Sequence, residues 1–63
     1  MYQNQLTNRL GDDLYVSARK ERGTIFLQMA EGEKDDPLMM SLNYEEFIKL
    51  RQMLTEAFNE MGW

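Results

Sequence analysis

The chain has no cysteine and no histidine among its 63 residues, and only one proline. Without thiols there is neither a disulfide nor a thiolate metal site, and without imidazole there is no histidine-dependent triad and no ordinary zinc chemistry. No apolar run approaches the roughly 20 residues that a membrane helix needs, and no basic stretch followed by an apolar block marks a secretory leader. No glycine-rich loop cradles phosphate, and no carboxylate pair falls where the pattern would bury it. The acidic stretch over residues 31–36 lacks the twelve-residue spacing of a calcium loop. These absences lead to the expectation of a soluble, cytoplasmic protein that is not an enzyme, holds no cofactor or metal and does not enter a membrane.

Strong basic charge is missing too. The net charge is −4, but it is unevenly spread. Residues 1–30 carry Arg9, Arg19, Lys20 and Arg22 against Asp12, Asp13 and Glu21, whereas residues 31–63 carry Lys34, Lys49 and Arg51 against eight carboxylates. Phosphate neutralisation supplies much of the affinity of nucleic-acid binders, and this chain lacks the basic excess that they usually show, which counts against tight binding.

A single domain of this length buries only about 60% of the surface of its unfolded chain, which makes self-association a reasonable expectation. Along the chain, residues 1–13 fit either a short strand or a helical arm. Tyr2, Leu6 and Leu10 recur every four residues, yet Asn, Gln and Thr dominate between them. Gly11, Asp12 and Asp13 break whatever precedes. Alternation of apolar and polar residues predicts strands at about 14–20, 24–30 and 38–42. Gly23 closes the first turn in a left-handed conformation, and a charged loop containing Gly32 and Pro37 separates the last two strands.

Asn43 followed by Glu46 makes a capping box, and a helix follows over about 43–62. Its apolar positions Phe47, Leu50, Leu54, Ala57, Phe58 and Met61 form one stripe. Burying Phe47, Leu50, Leu54 and Phe58 would contribute roughly 1.5 to 3 kcal/mol each. Ile48 and Met53 widen the stripe beyond what one small sheet needs, and Met39 and Trp63 are further candidates for a subunit contact. Met29, Met40 and Met61 read as core fillers. The expected fold is α+β: a small antiparallel sheet of three or four strands with one C-terminal amphipathic helix packed on one face.

Pairing the first two strands with Arg19 opposite Thr24 puts Leu14, Val16, Ala18, Ile25, Leu27 and Met29 on one side. Tyr15, Ser17, Arg19, Thr24, Phe26 and Gln28 then lie on the other. Two rings among hydroxyls, an amide and a cation suit the stacking of bases, and a partner subunit would suit them equally.

The order of strand, Lys20-Glu21-Arg22-Gly23 turn, strand, charged loop, strand and capped helix resembles the PUR repeat and, more loosely, the PC4-like coactivator domains. The resembling segments are Leu14-Tyr15-Val16, Ile25-Phe26-Leu27 with Glu31 downstream, Met40-Ser41-Leu42, Glu46-Phe47 and residues 54–58. The resemblance implies a homodimer that binds single-stranded DNA or RNA, with helices contributing to the pairing and Tyr15, Arg19, Lys20, Arg22 and Phe26 among the contacts. Ser17 and Gln28 join that candidate set from the same face. The sequence departs from the family in having fewer basic residues on its outer strands. The other reading is a small acidic regulator that docks on a host protein through Glu45, Glu46, Glu56, Glu60 and the acidic loop.

Overall fold

The computed structural model describes residues 1–32 and 36–63. Glu33, Lys34 and Asp35, in the middle of the acidic loop, lie outside the described residues. The elements follow the order β1 (Tyr2–Thr7), β2 (Asp13–Arg19), a 3-10 turn (Lys20–Arg22), β3 (Thr24–Ala30), β4 (Leu38–Leu42) and α1 (Tyr44–Glu60). The strands form one antiparallel sheet in the order β1-β2-β3-β4, a meander in which each strand pairs with its chain neighbour. The expected α+β class is the observed one, in its four-stranded form. Among the described residues, no helix is long and apolar enough to cross a membrane.

The N-terminal segment is a strand, so the spacing of Tyr2, Leu6 and Leu10 is not a helical signal. Cross-strand pairing decides the matter: Tyr2, Asn4 and Leu6 lie opposite Ala18, Val16 and Leu14. The turn between β1 and β2 is built on Asn8, whose side-chain oxygen accepts from the Leu10 and Asp12 N–H groups, both at 2.9 Å. Asp13 belongs to β2 and does not end the preceding segment. Its carboxylate accepts from the Thr7 hydroxyl and, at 3.1 Å, from the Gln5 amide, which ties the polar end of the sheet together.

The β2–β3 register pairs Arg19 with Thr24, Ser17 with Phe26 and Tyr15 with Gln28, as the alternation predicts. The connection is one 3-10 turn closed by Gly23 at φ 60°, ψ 34°, with its N–H donating to the Lys20 carbonyl at 3.1 Å. A side chain with a Cβ is disfavoured in that conformation, so glycine suits it. β4 pairs Leu42 with Ile25, Met40 with Leu27 and Leu38 with Met29, extending the apolar face.

One residue, Asn43, separates β4 from α1. The capping box is complete: the Glu46 N–H donates to Asn43 Oδ1 at 2.9 Å, and the Asn43 N–H donates to Glu46 Oε1 at 2.8 Å. This reciprocal pair satisfies two N–H groups that the start of the helix would otherwise leave without partners. At the far end Gly62 takes φ 76°, and Trp63 meets Phe58 edge-on with ring centroids 6.0 Å apart.

Packing of the helix on the sheet is slight. Its main contact is with β4, and Phe47, Ile48 and Leu50 reach half burial there. Beyond that point the stripe is open, with Leu54 62% and Phe58 51% exposed. The only buried apolar side chain among the described residues is Leu42, at 8%. The full burial expected for Leu54 and Phe58 does not occur within one chain, because the helix makes few contacts with the sheet beyond β4. Met29, Met40 and Met61 are likewise exposed and are not core fillers of a single chain. The accessible surface is 5794 Å², whereas a compact chain of 7.5 kDa exposes about 4,200 Å². The radius of gyration is 13.2 Å, against about 10.6 Å for a compact domain of this length.

Candidate functional site

Because directly opposed residues share a face, the register arranges the second face of the sheet in cross-strand rows. One row is Gln5, Tyr15, Gln28 and Met39, and the next is Gln3, Ser17, Phe26 and Ser41. A third begins with Arg19 and Thr24, at the end of the hairpin. Each of the first two rows therefore carries one ring flanked by amides or hydroxyls. The rings lie diagonally across β2 and β3, two residues apart along the strand direction.

Tyr15, Ser17, Arg19, Arg22, Phe26, Gln28 and Met39 line one concavity of about 420 Å³ on this face. The Arg19 guanidinium lies over the Phe26 ring, 5.7 Å from its centroid. Such a contact is worth about 0.5 to 1 kcal/mol where water reaches it, enough to bias the side chain toward the ring. Tyr15 is 37% exposed, while Ser17, Arg19, Phe26 and Gln28 are half-buried among one another. Neither ring lies beneath the helix, whose contact is with the β4 border. Along the strands the face changes character, with the two arginines at the hairpin end and the Asp13, Thr7 and Gln5 cluster at the other.

Six of the seven residues singled out on sequence for this face thus converge on one concavity. Lys20 does not join them. It starts the 3-10 turn and lines a different hollow with Tyr2, Gly23, Ile25 and Tyr44. Met39, expected at a subunit contact, lines this concavity on the ringed face, whereas Ile48 and Met53 lie on α1 and Trp63 follows its end.

Sequence reasoning missed Gln3 and Gln5, which line an adjoining, more open hollow of about 870 Å³ that shares Tyr15, Ser17 and Gln28. The alternation of Gln3, Gln5 and Thr7 against Tyr2 and Leu6 was the available signal, and it was masked by the absence of apolar residues at position 4. Comparison of the chain with protein-family models, with curated proteins and with solved structures gives no match in any of the three.

Proposed function

We propose that the chain is a non-enzymatic module of the PUR and PC4-like kind that holds single-stranded DNA or RNA on the ringed face of its sheet and works as a homodimer. The observation that carries this reading is the convergence of Tyr15, Phe26, Arg19 and Arg22 around one concavity. Stacking of a base on an exposed ring contributes about 1 to 3 kcal/mol and tolerates any base. The guanidinium groups at the hairpin end would take phosphate oxygens, with Ser17 and Gln28 offering hydrogen bonds to base or sugar. Surface excess supports the pairing: about 1,500 Å² per chain beyond a compact monomer would amount to some 3,000 Å² for two copies, within the roughly 2,000 to 5,000 Å² of obligate homodimers.

Fluorescence anisotropy with labelled oligo-dT and oligo-rU tests the reading. Saturable binding at micromolar protein in low salt, weakened by added salt and by Phe26→Ala or Tyr15→Ala, is the expected outcome. No binding under those conditions overturns it. The docking alternative draws on the exposed carboxylates of Glu45, Glu46, Glu56 and Glu60, and charge reversal at Glu56 and Glu60 would then weaken capture of a host protein.

A further inference from the structure

The turn that joins β2 to β3 carries a cation on each side of the sheet end. Arg22 lines the ringed concavity, whereas Lys20, two residues earlier, lines the hollow on the opposite side. Arg19 borders both. Two hydrogen bonds hold that division: the Gly23 N–H donates to the Lys20 carbonyl at 3.1 Å, and the Thr24 hydroxyl donates to the Arg22 carbonyl at 3.0 Å.

The second hollow, of about 450 Å³, has the same kinds of wall as the first. It opens at the end of the cross-strand row Tyr2, Ala18, Ile25 and Leu42, on the face turned away from Tyr15 and Phe26. Two rings line it. Tyr2, on β1, is 57% exposed, and its phenolic oxygen accepts from the Asn4 amide at 3.1 Å, which steadies the ring. Tyr44 is 73% exposed and is the first residue of α1, in the turn that the Asn43 cap secures. Among the described lining residues, Arg19 and Lys20 outnumber the single carboxylate of Glu21, in a chain whose net charge is −4.

We infer that the hollow of Tyr2, Lys20 and Tyr44 is a second stacking site, and that a single strand lying on the ringed face turns over the β2–β3 hairpin end to reach it. A ring beside a cation is what a base and its phosphate need, and every base has a face that can stack. A free nucleotide would be content with either hollow alone. The continuity points to a polynucleotide, because Arg22 on one side, Arg19 on both borders and Lys20 on the other make one track for a phosphate backbone. The inference rests on the ligand reading above and extends it from one face of the sheet to two. Affinity should then depend on strand length, since a short strand fills the ringed face and stops before the turn.

Anisotropy with the full chain in low salt tests this with oligo-dT of about 4 and about 12 nucleotides, both within the range of single-strand sites. Wild type should bind the longer strand at least about tenfold more tightly. Tyr44→Ala should take away about fivefold or more of the affinity for the long strand, the worth of one stacked base, and leave the short one unchanged. Lys20→Gln should flatten the logarithmic salt dependence by about 0.7 for the long strand alone. Both side chains are exposed, so the variants should keep the circular dichroism of wild type. Equal losses at both lengths, or no loss at either, overturn the path over the turn and leave the ringed face its ligand. A changed solution mass in Tyr44→Ala overturns it too, since the hollow would then be a protein contact. If wild type binds neither length, the ligand reading itself fails and this path fails with it.

Discussion

On the ringed face, Ser17, Phe26 and Gln28 are half-buried, and among the described residues no helix packs over them. On the opposite face Met29, Leu38 and Met40 stay open, although they are the residues with most to gain from leaving water. A polar face with rings can stand finished in solution, since its hydroxyls and amides find water and its rings find one another. An aliphatic face cannot, and neither can the stripe from Leu54 to Met61. Contrasting the two faces separates what this chain keeps for a ligand from what it leaves for assembly.

Substitutions should therefore sort cleanly by face. Largest is Leu42→Ala, at the corner where β3, β4 and the helix meet. Removing that side chain should lower stability by about 2 to 5 kcal/mol in urea unfolding followed by circular dichroism, and a change below 1 kcal/mol would mean that the corner is not the hub of the fold. Next come Phe26→Ala and Tyr15→Ala, each expected to weaken oligonucleotide binding by about 1 to 3 kcal/mol while the solution mass stays that of wild type. If either variant changes the mass instead, that ring belongs to the assembly and the contrast between the faces fails.

Asn43→Ala removes the cap and should cost about 0.5 to 2 kcal/mol in thermal melting, because the Glu46 N–H loses its side-chain acceptor. An unchanged melting temperature would show that this cap adds nothing to the stability of the fold. The smallest effect is expected from Arg22→Gln. It should flatten the logarithmic salt dependence of binding by about 0.7, the share of one phosphate contact on a single strand, and an unaltered slope would remove Arg22 from the ligand path.

The hairpin was the most legible part of the chain, because side-chain period and burial agree there. A one-residue slip would split Leu14, Val16 and Ala18 from Ile25, Leu27 and Met29, and the observed pairing of Arg19 with Thr24 keeps them on one face. The Asn43 and Glu46 cap was equally readable, since its chemistry is local. β1 was not, because Gln, Asn and Thr report no burial preference, and its pairing with β2 is settled across the turn that Asn8 builds. Lys20 stands apart from the concavity for a related reason. Adjacent to Arg19 in sequence, it opens a 3-10 turn that sends it to the other side of the sheet end. Periodicity marked the helix stripe as a surface to be covered, and no pattern within one sequence says which chain does the covering.

The border strand β1 has one more consequence. It lies at the outer limit of the sheet, its six residues are all exposed, and none of them carries a charge. Natural rims of this kind are guarded by lysine, proline or a bulge, which discourage copies from zipping together through their free amides and carbonyls. Gln3, Asn4 and Gln5 are instead of the sort that stack in register along a filament. A single lysine on that strand would give it the guard that it lacks.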